Sequence, residues 1–431
     1  MIRELQIKGL YGLYDYDINF CRRSRVKILT GPNGFGKTTI LKIIDHLIQR
    51  DFWYFCLLYY KQIRVRFDDG AEFFIYKGGS FQLEIDFDRN PSKYASLSGV
   101  AIAFYPHEDE RHELVLSKAY FLRVVRRFAM VRSGFFNTDE IDYEDRLDRN
   151  YNANEDEMLP ESAKSIISYL SEKNSLYIKE QRIKYDSIED RFSRRLISQY
   201  NIEKIAEELK VMYNAYQSMF ADKCQEIDSQ FVSKLISSEK KIYNRDSYDE
   251  KASQVKVIIE GYQEFGLAKE MKMDYSYKEE YREILSQYID DVYDKLDVYF
   301  PFYLSLSSFY HFIKDKELSN KSMSLDAEQG ITVTDVNGLD VPLRKLSSGE
   351  QNLIILYFNL LFKTKPGSIL LVDEPENSIH AAWQDSMLED FKNVAKVLKV
   401  QVIISTHSLD FIQGDWDNGI DLFRINSNGQ G

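Results

Sequence analysis

Apolar and polar positions change rhythm twice along the chain, and the changes mark out three zones. From residue 1 to about 125 the patterns are those of strands. MIRELQIKGL reads as one, and RVKILT (25–30) is an apolar run that leads into a Gly-rich turn. TTILKIIDHLIQ follows, with its apolar residues at helical spacing. Further on, QIRVRF, AEFFIYK and FQLEIDF alternate or cluster β-forming residues around DDG and KGGS, which predicts a small antiparallel meander. From about 126 to 300 the pattern is helical. NIEKIAEELKVMYNAYQSMF has amphipathic spacing without sustained heptads, so a helical insertion or a short coiled-coil hairpin is expected. If half of residues 163–300 formed one arm, ~70 residues at ~1.5 Å each would reach only ~100 Å, which excludes long bridging arms. From 301 to 431 an α/β pattern returns. ITVTDVNGLDVPL sets NG between two β-like runs, a hairpin signal. LSSGEQN then opens the apolar helix NLIILYFNLLF, and SILLVDE and QVIIS read as buried strands on either side of another helix. No internal repeat is present.

Composition narrows the class. The chain has 431 residues, enough for two or three domains, and 44% hydrophobic with 29% charged residues predicts a soluble globular protein. No run of about 18 uncharged apolar residues exists, so no membrane span is expected, and the N-terminus lacks an apolar stretch of signal-peptide length. Three scattered cysteines point to a reducing cytoplasm and exclude a disulfide framework or a CxxC metal pair. A net charge of −12 gives no support for nucleic acid as the main partner. Residues 138–161 hold ten acidic residues against two basic, a composition found more often in a solvated loop than in a docking site. The run VVRRFAMVR offers Arg126, Arg127 and Arg132 as a local basic stripe, although such a run is more often a solvated helix edge.

Four stretches carry chemistry. GPNGFGKT (31–38) fits G-x-x-x-x-G-K-[ST] between a strand pattern and a helix pattern, as a phosphate-cradling loop requires. Gly31, Gly34 and Gly36 let the backbone curl its N–H groups toward phosphate oxygens. Lys37 would neutralise the β- and γ-phosphates, and the Thr38 hydroxyl would ligate Mg²⁺. SILLVDEPE ends an apolar strand in Asp373, placed to reach the Mg²⁺ shell, and Glu374, placed to polarise an attacking water. QVIISTHS ends a second apolar strand near His407; such a histidine is often structural, but after a P-loop and an acidic strand tip it reads better as a γ-phosphate sensor. In LSSGEQN, hydroxyls and a glycine at a helix start expose the N–H groups to which anions bind. His107 and His112 flank the acid-rich stretch EDER and read as loop residues.

Taken in chain order, the four stretches resemble the ABC-type ATPases, including their SMC-like and OLD-like branches. GPNGFGKT resembles the Walker A motif, LSSGEQ the signature, ILLVDE the Walker B motif, STHS the switch-histidine region and ENSIH (376–380) the D-loop. The resemblance implies an α/β fold: an ABC-type ATPase head, with a mixed sheet carrying the P-loop and an antiparallel β-subdomain, interrupted by a helical or short coiled-coil insertion. The head would be formed by residues 1–125 and 301–431 and the insertion by 126–300. It also implies ATP and Mg²⁺, with Asn33, Gly34, Gly36, Lys37, Thr38 and Thr39 on the nucleotide, Thr38 and Asp373 on the metal, and Glu374 and His407 in catalysis. In this family the signature of one protomer caps the γ-phosphate on the Walker A loop of another. Ser347, Gly349 and Glu350 would thus complete a neighbour's site in a head-to-tail dimer or higher homo-oligomer. The chain departs from the pattern in three places. Ser348 stands where many members have glycine, FYPHED (104–109) contains no glutamine for the Q-loop, and the helical zone has no CxxC hook of the DNA-repair branch.

At finer grain, IKGLYGLYDYDI and THSLDFIQGDWDNGIDL resemble the stand-alone ATPase subunits of bacterial anti-phage systems such as PARIS and Septu. OLD-like nucleases carry a TOPRIM domain after the ATPase, and the 24 residues beyond His407 leave no room for one. A separate effector nuclease, with a phage protein as trigger, is therefore the expected partner. The alternative is an SMC-like ATPase of DNA repair or chromosome maintenance that clamps a duplex, for which salt-sensitive DNA binding would be diagnostic. A transporter ATPase is disfavoured by the length of the helical zone before the signature.

Overall fold

The structure, a computed structural model, describes residues 1–20, 24–77, 100–107, 110–116, 163–180, 184–189, 196–236, 241–269, 271, 276–316, 318, 320–412 and 414–428. FQLEIDF, the acidic run at 138–161 and VVRRFAMVR lie outside them. In chain order the first elements are β1 (Ile2–Leu10), β2 (Tyr14–Asn19), β3 (Val26–Thr30), α1 (Lys37–Ile48), α2 (Trp53–Leu57), β4 (Gln62–Phe67), β5 (Glu72–Lys77), β6 (Val100–Tyr105) and β7 (His112–Leu116). Next come α3 (Lys164–Ser171), β8 (Ser175–Ile178), β9 (Lys184–Glu189), β10 (Leu196–Tyr200), α4 (Asn201–Ile236), α5 (Arg245–Glu264), α6 (Arg282–Leu296) and α7 (Phe300–Asp315). The last are β11 (Lys321–Asp326), β12 (Gly330–Asp335), α8 (Ser348–Phe358), β13 (Ile369–Asp373), α9 (Ala381–Gln384), α10 (Met387–Val397), β14 (Gln401–Ser405), α11 (Leu409–Ile412), β15 (Gly419–Asp421) and α12 (Leu422–Asn428).

The chain divides into two compact units, Met1–Gln181 with Lys363–Gly431, and Arg182–Phe362. The first holds two sheets. One is antiparallel, in the order β2-β1-β4-β5-β6-β7, and includes QIRVRF and AEFFIYK of the expected meander as β4 and β5. The other is parallel, in the order β15-β3-β14-β13-β8. Its strands β3, β13 and β14 are buried at every position, which is why they read as unbroken apolar runs and not as alternation. Ile40, Ile43, Ile44 and Leu47 form the apolar stripe of α1, and they share one core with Leu5 and Ile63 of the antiparallel sheet and Leu371 and Ile403 of the parallel one. Each such fully buried side chain contributes about 1.5–3 kcal/mol, so the turn before α1 sits on a rigid base.

The second unit is where the Tyr-rich helices lie. The 36 residues of α4 make a rod of ~54 Å, short of the upper bound read from the sequence. Aromatic pairs hold its partners: Tyr216 stacks on Phe302 at 4.6 Å, Phe220 stacks on Tyr299 at 4.7 Å, and the buried Tyr213 hydroxyl donates to the Phe265 carbonyl. Aromatic rings and the buried aliphatic residues Ile202, Ile205, Leu209 and Ile227 together make up the inner face of α4. Gly330 opens β12 with φ +75, and a Cβ there would fall 2.2 Å from the Ala206 carbonyl oxygen of α4, so no other residue fits.

Four local expectations change. Residues 163–178 lie within the expected insertion, yet β8 pairs in parallel with β13, Leu176 opposite Leu370, and so joins the first unit. Four residues of mixed polarity give no periodicity to detect. At the other boundary, β11, β12 and α8 cluster with the helices, so the second unit runs to Phe362 and not to 300. The NG turn exists, with Asp335 Oδ1 accepting from the Asn337 and Leu339 amides. However, the strand before it pairs chiefly upstream, with β11, and reaches across the turn only by a bridge from Thr334 to Asp340. His112 is the first residue of β7, not a loop residue, and its Nε2 lies 2.8 Å from Glu110.

Candidate functional site

The parallel sheet brings distant residues together. β14 lies between β3 and β13, with Ser405 opposite both Leu29 and Asp373, so the loops leaving all three strands emerge side by side. This is the edge at which open α/β sheets bind ligands. The loop from β3 holds Gly31, Gly34 and Gly36 at φ 146, 85 and 76. Gly36 is the N-cap of α1 without a side-chain cap, and a Cβ on it would press against Leu10 at 3.0 Å. The helix therefore starts with free N–H donors and its positive dipole end directed at the loop. Asn33 and Gly34 stand exposed at the loop's tip. The hairpin between β1 and β2 braces the other side: Tyr16 donates to the Phe35 carbonyl at 2.6 Å, and Tyr11 and Thr39 share a hydroxyl bond of 2.8 Å.

Lys37 is only 5% exposed, and its ammonium donates to the carbonyls of Gly31 at 2.8 Å and Pro32 at 3.2 Å and to His407 Nδ1 at 3.1 Å. Burial lowers its pKa, against the opposing pull of Glu374, Asp373 and Glu376. Asp373, 3% exposed, is held by three hydroxyls. Thr38 donates to its Oδ1 at 3.1 Å, Ser405 donates to the same oxygen, and Tyr177 of β8 donates to Oδ2 at 3.0 Å. A threonine hydroxyl beside a carboxylate supplies the hard oxygen donors that suit Mg²⁺.

Glu374 has φ 44, uncommon for any residue but glycine and more so before a proline. The Glu374 amide donating to the Ser405 carbonyl at 2.9 Å holds it there, and its carboxylate lies 2.6 Å from His407 Nε2. Because Lys37 can only donate, His407 Nδ1 is the acceptor; the network therefore assigns the ring proton to Nε2, which donates to Glu374. Burial and then the Lys37 charge lower the His407 pKa, consistent with this neutral ring. Burial, followed by repulsion from Glu180, Asp373 and Glu376, pushes Glu374 up to about 7. A carboxylate poised there can accept a proton from water near neutral pH. Strain and a displaced pKa at one residue are what a catalytic position would show.

Sequence reading missed several contributors. Tyr177 and Glu180 come from the overlooked β8 segment, Glu180 accepting from the Asn377 amide. Glu376 accepts from the Thr406 hydroxyl and from the His407 amide at 3.2 Å, fixing the turn that presents the histidine. The one available signal was a short β-former cluster, SLYI, beside a run of polar residues.

The stretch LSSGEQN lies in the second unit. Ser347 is the exposed N-cap of α8 and takes part in a full capping box with Glu350. The Ser347 amide and hydroxyl donate to Glu350 Oε2 at 2.8 and 2.9 Å, and the Glu350 amide donates back to the hydroxyl at 3.3 Å. Gly349 is partly exposed one residue before the buried Glu350. The loop before the helix is tied down by Gln351, which donates to the Leu346 carbonyl at 2.8 Å.

Among solved structures, the chain is similar to the Smc head domain of Pyrococcus furiosus bound to the C-terminal domain of ScpA. The identity is 15%, coverage is 97% of this chain and 92% of that one, and the TM-score is 0.37. An SmcHead bound to the C-winged helix domain of ScpA matches at 13% identity over 98% and 93% of the two chains, with a TM-score of 0.38. The SMC head domain from Thermotoga maritima matches at 12% identity over 96% and 91%, with a TM-score of 0.31. Likenesses this faint leave classification to the sequence. No curated protein matches significantly. The family described as AAA ATPase domain, in contrast, matches residues 1–412, from the first strand through the P-loop to the helix beyond His407, and the chain belongs to that family of ATPases.

Proposed function

We propose that the chain hydrolyses ATP at sites shared between protomers and uses that cycle, as the ATPase subunit of an anti-phage complex, to control a separate effector nuclease. The observation that carries the ATPase half is the convergence of Lys37, Thr38, Asp373, Glu374 and His407, from three separate segments, at adjoining strand ends. In this reading Lys37 leaves the loop carbonyls to meet the β- and γ-phosphates, and the uncapped start of α1 donates its N–H groups to them. Thr38 and Asp373 would hold Mg²⁺, which supplies charge neutralisation on the phosphates when bound. Glu374 takes the proton of the attacking water while the His407 Nε2 proton orients its carboxylate. Ser347 and Gly349 of a second copy close over the terminal phosphate. For the defence half, support comes from the resemblance of IKGLYGLYDYDI and THSLDFIQGDWDNGIDL to such subunits. Nothing specific favours the DNA clamp: its candidate stripe lies outside the described residues and the net charge is −12.

The test of shared sites is complementation. Lys37→Ala and Ser347→Arg chains, each inactive alone, should on mixing regain up to about half of wild-type turnover per dimer, since one site then has both good halves. Mixed dimers with no turnover would refute shared sites. For the effector, isolation of the intact chain from its native host with ATP should yield a stoichiometric nuclease; a bare dimer retained on DNA would favour the clamp.

A further inference from the structure

Outside the P-loop cluster, the most completely tied carboxylate in the signature region is Glu350. It is 1% exposed, and its two oxygens are divided between jobs. Oε2 accepts from the Ser347 amide and hydroxyl, and Oε1 accepts from the Lys321 ammonium at 2.8 Å, reaching from the first residue of β11. Burial alone would raise the Glu350 pKa, but the bonds from Lys321 and Ser347 outweigh it and keep the carboxyl below its usual range. Two consequences follow for an incoming phosphate. A helix N-terminus offers roughly half a positive charge, whereas an ionised carboxylate in its first turn places a full negative charge at the same spot. Unless that charge is neutralised, the helix start repels the anion. A hydroxyl also has a single proton, and the Ser347 proton is committed to Glu350. To donate to a phosphate it must turn away, leaving the carboxylate one donor short in a buried place.

We propose that Lys321 is a positioning residue of the shared site. Its ammonium cancels the Glu350 charge and keeps that carboxylate satisfied while Ser347 turns its hydroxyl from Glu350 to the terminal phosphate held by a second copy. The role rests on the shared-site reading above. Lys321 never touches the nucleotide and acts on the site through Glu350.

Three variants test it: Lys321→Met, Lys321→Arg and the double variant Lys321→Met/Glu350→Gln. Each is read for affinity toward fluorescent Mg·ATP, for thermal midpoint, and for the protein concentration giving half-maximal turnover. For Lys321→Met, nucleotide affinity should stay within about twofold, because that contact belongs to the P-loop, while the half-maximal protein concentration rises about tenfold or more. Lys321→Arg keeps the charge and should behave as wild type. The double variant has no charge left to cancel and should recover most of the loss, and it carries the test if Lys321→Met alone folds poorly. An unchanged half-maximal concentration in a folded Lys321→Met, or a double variant as impaired as the single one, would overturn the role of Lys321. Should Ser347→Arg leave turnover intact, the shared site itself fails and this role with it.

Discussion

Two helix starts in this chain are candidates for meeting the same phosphate, and they are built in opposite ways. The start of α1 has a glycine at its N-cap and no side-chain cap, and its surroundings are under tension. Lys37 is desolvated, Glu374 is raised to about 7, and its backbone sits at φ 44. The start of α8 is self-sufficient: Ser347 and Glu350 satisfy each other, and Lys321 balances the charge. The difference teaches where chemistry is placed. A helix start that must bind phosphate by itself leaves donors unpaired and stores strain in the groups around it. On the shared-site reading, one that waits for another molecule stays stable alone and changes partners only on assembly.

The sharpest way to break the comparison is Lys37→Ala. If the first helix start depends on a single cation, nucleotide affinity measured by calorimetry should fall on the order of 100-fold or more. Normal affinity would mean that the loop amides alone suffice. Next is Glu374→Gln, which should bind ATP normally yet turn over ~10²- to 10⁴-fold more slowly, the usual contribution of a positioned base. The same variant reports on the tension. A carboxyl raised from 4.5 to about 7 on folding binds its proton more tightly in the folded chain, so its contribution to stability is present below the unfolded pKa and is lost as pH rises through 7. In nucleotide-free buffer, Glu374→Gln should flatten the fall in urea midpoint between pH 5 and pH 8; an unaltered slope would remove the tension from this residue. The smallest effect belongs to the second helix start. Ser347→Ala deletes an N-cap and should cost about 1 kcal/mol in denaturant unfolding, with nucleotide affinity untouched.

Legibility follows the range of the interactions. The capping box spans residues 347–350, so LSSGE displays it whole, and the P-loop is a contiguous stretch between a buried strand and an amphipathic helix. Asp373 and His407 were recognisable because each follows an apolar run that can only be a central strand. Tyr177 was not, since a four-residue strand of mixed polarity has no rhythm and its meaning arises only on pairing with β13. Glu350 was expected on the nucleotide, whereas its side chain lies buried under the signature. A carboxylate in a helix's first turn reads alike whether it faces outward or inward.

By itself, then, the amino-acid sequence determined the three central strands of the parallel sheet, the Gly-rich loop and the family of ATPases, because these rest on apolar periodicity and on motifs of neighbouring residues. Tertiary structure alone decided that β14 lies between β3 and β13, that Lys37, His407 and Glu374 form one chain of hydrogen bonds, that three hydroxyls hold Asp373, and that Lys321 pairs with Glu350. Those pairings join residues 29 to 370 positions apart. No local pattern encodes them, because which strands neighbour each other is settled only when the whole core closes.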